Sequence, residues 1–279
     1  MDLPSLIYLT QDIGEGRIDG GGADILSYHV MQLLLEWQNA SGLAGDLVEI
    51  GVWSGQTFAL LATTTRAGQN AIGIDISEAW LLASRDRATH VCRRLGVNSG
   101  IQCIQGSSAH PLMAGLLQKV VGSSGIRFAH IDGEHSYDLV HSDARLLQNL
   151  MSPWGIICFD DCFSLACPGV AEAFFRFSFE SDWVPLLFTP NKAYLVNRRY
   201  FRYYRTHVIE MHKTLVEARG FPASMSSSSY YPDEGHVSIF YSREVFYQVV
   251  NRAFDSYQDY AAFEPGINDV SSCRLLSDV

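Results

Sequence analysis

The sequence predicts an α/β fold: a doubly wound, mostly parallel seven-stranded sheet that ends in an antiparallel hairpin and is followed by a mostly helical C-terminal extension. Three observations carry this expectation. Short apolar runs alternate repeatedly with stretches of helical periodicity. Several of these runs finish in acids, as in Ala71-Ile-Gly-Ile-Asp75, Phe128-Ala-His-Ile-Asp132 and Ile156-Ile-Cys-Phe-Asp-Asp161; buried parallel strands look this way when their C-terminal ends open into a site. A glycine turn from Gly51 to Gly55 follows the first run and opens a helix, and Thr189-Pro-Asn191 reads as a hairpin between two closing strands.

Taken in order, residues 1–22 show little periodicity and end in Asp19-Gly-Gly-Gly22, an N-terminal access segment or lid. From about Ala23 to Asn39, Ile25, Leu26, Val30, Leu33, Leu34 and Trp37 recur at helical spacing, and Ser41-Gly42 supplies the stop. Leu47 to Gly51 is a short strand, with a helix from the glycine turn to about Arg66. The second strand ends at Asp75, a helix runs from about Glu78 to Leu95, and Ile101 to Gln105 is the third strand. Pro111 suits the first turn of the next helix. Ile126 to Ile131 is the fourth strand, Tyr137 to Leu150 a helix, Ser152-Pro-Trp-Gly155 a turn, and Gly155 to Phe159 the fifth strand. Pro168 starts a helix to about Phe179, and Trp183 to Phe188 pairs with Lys192 to Val196. These elements form one domain over 23–197. The extension, 198–279, contains a basic, aromatic helix from Arg198 to about Ala218, a loop at Ser224 to Ser229, a strand at His236 to Tyr241, a helix over Glu244 to Phe263 and a frayed end. Its place is in substrate or homo-oligomer contacts.

The chain has 279 residues, 47% of them hydrophobic, enough for a sizeable core. A net charge of -10 disfavours nucleic acid and anionic membrane as partners, since both select an excess of Lys and Arg. Neither a secretory signal nor a membrane span is evident, which points to a soluble, cytoplasmic protein acting on a small molecule. The six cysteines lack C-x-x-C pairs and read as reduced thiols, mostly in the core.

Strand, glycine turn, helix, strand and acid occur in the order of a nucleoside-binding site. Gly51 and Gly55 let backbone approach a ligand, and the free N–H groups at the helix start favour its polar or anionic groups. Gly51-x-x-x-Gly55 departs from G-x-G-x-x-G, which weakens a dinucleotide reading. Asp75 stands where ribose hydroxyls are held; alternatively, with Ser77, it caps the next helix. Gly106, Ser107 and Ser108 line the adenine side of such a pocket or form a plain loop. Asp132, Asp160 and Asp161 are candidate oxygen ligands for a hard cation, with His135 placed to move a proton. The bland alternatives are a turn at Asp132-Gly133, a helix cap at Asp161 and a surface histidine at 135. His130 reads as a packed structural histidine on the face it shares with Asp132.

These motifs resemble the class I S-adenosylmethionine-dependent methyltransferases, a Rossmann-like group, and within it the metal-dependent small-molecule O-methyltransferases. Val48-Glu-Ile-Gly-Val-Trp-Ser-Gly55 is similar to their first cofactor motif, Gly73-Ile-Asp75 to their ribose acid, and Ile131-Asp-Gly-Glu-His-Ser-Tyr137 with Phe159-Asp-Asp161 to their metal site. His135 and Asp160-Asp161 look closer to the macrocin and mycinamicin sugar O-methyltransferases than to the catechol enzymes, which have lysine and Asp-Asn there. The resemblance covers roughly 24–197. It implies S-adenosylmethionine bound by Glu49, Gly51, Ser54, Gly55, Thr57, Asp75, Ser77, Gly106, Ser107, Ser108 and Asp132. It further implies a divalent cation, Mg2+ by preference, on Asp132, Asp160 and Asp161, with Asp132 and His135 catalytic and His135 the base for a hydroxyl acceptor. The acceptor would be a sugar or another natural-product scaffold. Rival readings are a metal-independent methyltransferase with His135 acting alone, a non-catalytic S-adenosylmethionine-binding scaffold, and a nicotinamide-dependent oxidoreductase.

Overall fold

The computed structural model describes residues 24–220, 222–227, 235–241 and 274–276. Asp24 caps α1 (Ile25–Ala40) by accepting from the Ser27 amide at 2.7 Å. There follow β1 (Asp46–Ile50), α2 (Gln56–Thr63), β2 (Asn70–Asp75), α3 (Glu78–Leu95), β3 (Gly100–Gln105), α4 (Met113–Val120), β4 (Ile126–Ile131), α5 (Tyr137–Gln148), β5 (Met151–Phe159), α6 (Pro168–Phe179), β6 (Trp183–Phe188) and β7 (Ala193–Asn197). A 3-10 turn leads into α7 (Phe201–Lys213), which ends in a π-turn over Thr214–Ala218. The last described strands are β8 (Ala223–Ser227), β9 (Val237–Tyr241) and β10 (Arg274–Leu276).

The strands form one sheet in the order β10-β3-β2-β1-β4-β5-β7-β6-β9-β8. β1 to β5 run parallel, and β7 lies antiparallel between β5 and β6. Alternate residues of each strand feed opposite cores, the period-2 consequence of the pleat. On one face Leu47, Phe128, Ile156 and Cys158 meet α1 and α7; on the other Val48, Ala129, Ile157 and Phe159 meet α4, α5 and α6. α2 and α3 complete the first face through Phe58, Ala59, Leu81 and Ala88. The doubly wound, mostly parallel arrangement is therefore the observed one. Among the described residues no helix is long and apolar enough to cross a membrane.

The structure differs from expectation at a few points. Pro111 precedes the helix rather than opening it, since α4 is capped at Leu112. The expected turn at 152–155 lies inside β5 as an irregularity: Ile126 faces Met151 while Phe128 already faces Ile156, so the extra residues, including Pro153, leave the ladder where an absent N–H does no harm. Most of the predicted loop at 224–229 is strand β8, because main-chain pairing with β9 extends the exposed edge beside β6 and asks little of the serine side chains. Arg274–Leu276, near the end expected to fray, pairs antiparallel with β3 at the opposite edge. The access segment at 1–22 and the helix at 244–263 lie outside the described residues.

Candidate active site

Parallel pairing brings the C-terminal ends of β1, β4 and β5 together, and the ladder continues one residue past them. Gly51 donates its N–H to Ile74 O at 2.8 Å, Asp132 to Ile50 O at 2.8 Å and Asp160 to Ile131 O at 3.0 Å. Gly51 has φ 82°, and a Cβ there would lie 2.0 Å from the Asp132 carbonyl oxygen. Only glycine permits that crossing. In the same way a Cβ on Gly55, φ 76°, would sit 2.5 Å from Ser84 Cα, so both glycines are required by packing before any ligand is considered.

Beneath the strand ends lies a closed line of charged side chains. Glu49 and His130 are register partners on neighbouring strands, which puts His130 Nδ1 2.9 Å from Glu49 Oε1. His130 Nε2 faces Asp160 Oδ2 at 3.4 Å and stands 3.2 Å from Lys192 Nζ. The Lys192 ammonium donates to Asp160 Oδ2, while Asp160 Oδ1 accepts from Asn191 Nδ2 at 2.9 Å and the Asp161 amide at 2.8 Å. Glu49, His130, Asp160 and Lys192 are all buried. Burial pushes the Glu49 carboxyl up to about 7, against the pull of His130. For His130, burial and the charge of Lys192 act downward, but the carboxylates of Asp160 and Glu49 prevail and raise it to about 9. Burial likewise opposes ionisation of Asp160 and Lys192. Their mutual attraction wins, lowering the acid well below its usual range and raising the ammonium above its own. Nearby, the hydroxyls of Tyr28 and Thr57 share a 2.8 Å hydrogen bond.

Above this line the site opens. His135 Nε2 stands 3.7 Å from Asp132 Oδ1 and 3.6 Å from Asp161 Oδ2; the side chains of His135, Asp132 and Asp161 are 38%, 31% and 38% exposed, while Nε2 itself is buried between the two carboxylates without a hydrogen-bond partner among the described residues. The Asp132 carboxylate, more than Asp161, raises the imidazole above the ordinary histidine value despite partial burial. Asp132 itself is driven up to about 6 by burial and by the charge of Asp160. Burial and the same charge raise Asp161, whose backbone is left-handed at φ 50°. The loop carrying His135 is seated on the start of α6, where a Cβ on Gly169 would lie 2.8 Å from the His135 carbonyl oxygen. Cys167 is also close, its sulfur within 4.8 Å of ligand atoms of His135 and Asp161.

The remaining predicted residues gather at the β1, β2 and β3 ends, with side chains largely engaged in the protein. Asp75 Oδ2 accepts from the Val52 and Trp53 amides at 3.0 and 3.3 Å, and Oδ1 from Ser77 N at 2.9 Å. Asp75 thereby ties the glycine turn, including half-buried Ser54, to β2. Ser77 Oγ caps α3 through Trp80 N at 3.3 Å. Gly106 donates its N–H to Asp75 O at 2.9 Å. Ser107 Oγ accepts from Ala109 N at 3.3 Å, and the Ser108 side chain bonds Asp143 on α5. Among the described residues, Glu49 Oε2 and Gln56 Nε2 are buried here without a hydrogen-bond partner. α2 also begins without a side-chain cap. Sequence reasoning passes over Lys192, Tyr28 and Gln56; the available signal for Lys192 is a lone lysine leading into the apolar closing strand Ala193–Val196.

Residues 48–162 match a protein-family model described as a methyltransferase domain. That span holds the glycine turn and the acids at the ends of β2, β4 and β5, so the part of the chain that carries the candidate site is similar to a methyltransferase domain. The chain is similar in structure to an O-methyltransferase from Bacillus cereus solved in complex with SAH, at 13% identity and a TM-score of 0.50, over 70% of this chain and 92% of that one. It is likewise similar to cofactor-bound Rv0187 from MTB, at 15% identity and a TM-score of 0.50, over 71% of this chain and 91% of that one. At these identities the likeness is one of fold. Comparison with curated proteins finds no significant match.

Proposed function

We propose that this chain transfers a methyl group to a hydroxyl of a small molecule, a sugar or natural-product scaffold, with His135 as general base. The observation that carries this reading is the His135 imidazole at the open mouth, between Asp132 and Asp161 and one strand from the glycine turn. Bound S-adenosylmethionine would supply the electrophilic methyl group. The residues present fit it: unpartnered Glu49 Oε2 suits an ammonium, while unpartnered Gln56 Nε2 and the uncapped start of α2 suit a carboxylate. Asp75 Oδ1, with one backbone bond from Ser77, is the oxygen left to accept from a ribose hydroxyl, and Gly106, Ser107 and Ser108 flank the adenine side. Asp132 and Asp161, which face Nε2, orient the ring and stabilise the imidazolium that forms as His135 takes the hydroxyl proton.

The divalent cation expected from the sequence fits poorly. A site on Asp132, Asp160 and Asp161 needs free oxygens, and those of Asp160 already meet Lys192, His130, Asn191 and the Asp161 amide. No step is therefore assigned to a metal. In this reading residues 23–197 serve as the transferase domain, 198–279 supply acceptor or homo-oligomer contacts, and 1–22 act as an entry segment or lid.

The test combines calorimetry with SAH and methyl transfer from labelled S-adenosylmethionine to a panel of hydroxylated sugars and polyphenols. SAH binding with turnover lost in His135→Ala is expected. Turnover undiminished in that variant would refute the base assignment, and failure to bind SAH would refute the whole reading.

A further inference from the structure

We propose that Lys192 is the built-in cation of this site, holding Asp160 in place of a divalent metal, so that Asp132, Asp160 and Asp161 do not act together as a divalent-metal centre. The inference rests on the methyltransferase reading for its purpose but on separate geometry for its content. Lys192 is only 1% exposed and sits at the tip of the β6–β7 hairpin, where Thr189 N donates to Lys192 O at 2.9 Å. That tip is fastened to α1, because Ser27 Oγ bonds Thr189 Oγ1 at 2.7 Å and Asn191 Oδ1 at 3.0 Å. Asn191 then reaches Asp160 Oδ1 at 2.9 Å. The ammonium is thus delivered to Asp160 by a tethered hairpin tip rather than by a mobile surface stem.

Both Asp160 oxygens carry two partners, Lys192 and His130 on Oδ2 and Asn191 and the Asp161 amide on Oδ1. Three of these contacts are hydrogen bonds, from Lys192, Asn191 and the Asp161 amide, and the fourth is the 3.4 Å approach of His130, so of about four lone-pair positions at most one faces a metal and it lies beside the imidazole. A divalent ion drawn to Asp160 would also have to settle against a buried ammonium that cannot swing into water. Lys192 does not reach the open mouth, and it acts through Asp160. It is a positioning residue that fixes the carboxylate next to the Asp132–His135–Asp161 mouth while offsetting its charge.

Electron paramagnetic resonance with Mn2+ as the probe tests this without an acceptor. The wild-type chain is expected to bind Mn2+ no more tightly than millimolar. Lys192→Met, which frees Asp160 and removes the competing charge, is expected to gain about 10-fold or more in Mn2+ affinity, and Asp160→Asn/Lys192→Met to lose that gain. Micromolar Mn2+ binding by the wild type overturns the proposal and needs no variant to fold; an unchanged affinity in folded Lys192→Met overturns it equally. SAH calorimetry on the same wild-type sample separates the two readings: no SAH binding defeats the methyltransferase assignment, whereas Mn2+ binding alone decides the role of Lys192.

Discussion

Asp160 and Asp161 are adjacent in the chain and opposite in circumstance. Asp160 is enclosed, paired with an ammonium and an imidazole, and held strongly ionised. Asp161 turns outward on a left-handed backbone, partly exposed, with its carboxyl raised by burial and by the charge of its own neighbour. The same contrast separates two histidines. His130 is locked between Glu49 and Asp160, while His135 lies among carboxylates with access to solvent. One layer holds fixed charge; the layer above it can exchange a proton. That division teaches that an acid-rich strand end is not one site but a support and a working surface.

The support breaks first. Lys192→Met leaves Asp160 buried without its cation and should lower unfolding free energy by about 3–5 kcal/mol in urea titrations, with more than half recovered when Asp160→Asn is added. A loss under 1 kcal/mol, on the scale of ordinary exposed pairs (about 0–1 kcal/mol), would mean that the two layers are not distinct. The working surface answers differently. His135→Ala should slow methyl transfer by about 10²-fold while stability moves by no more than about 0.5 kcal/mol. Equal damage to stability and rate would merge the layers.

A third acid sharpens the point, since Asp143 is buried like Asp160 but among the described residues has no cation against it. Burial raises its carboxyl to about 7, and the Ser108 bond only partly opposes this. A raised folded-state pKa means that the protonated form is favoured in the fold. The associated stability is therefore complete below the usual carboxylate pKa, near 4, and is lost as pH rises through about 7. Asp143→Asn should flatten that dependence and stabilise the protein by about 1–2 kcal/mol at about pH 8 but not at about pH 4, read from melting curves across pH. The smallest effect concerns the outer layer. With His135 as the proposed base, transfer requires its neutral form, and kcat should fall as pH drops through its raised pKa. Asp161→Asn, by removing one carboxylate, should move that acidic limb to lower pH by a fraction of a unit. A limb that does not move would show that Asp161 has no electrostatic hold on the base.

Local pattern is enough for most of the architecture. The apolar runs that end at Asp75, at Asp132 and at Asp160-Asp161 mark strands because the two cores bury both faces of a parallel sheet, and most observed boundaries fall within a few residues of those expected. The glycine turn is legible for a similarly local reason, as Gly51 and Gly55 both take left-handed backbone. The extension is harder to read. Strands β8 and β9 carry serines and weak alternation, and their pairing depends on a sheet edge that no local window contains.

Reading the residues alone therefore settles the order of strands and helices, the acids at the strand ends and the glycine turn, because hydrophobic period and backbone sterics act over a few neighbouring residues. It also places His135 beside Asp132, three positions away in the chain. Which acid is already spoken for is settled only by the folded chain. Lys192 lies 32 positions from Asp160 and reaches it because β7 inserts antiparallel beside β5 and the hairpin tip is tied to α1. The charge state of a buried carboxylate follows from such long-range neighbours and not from its place in the chain.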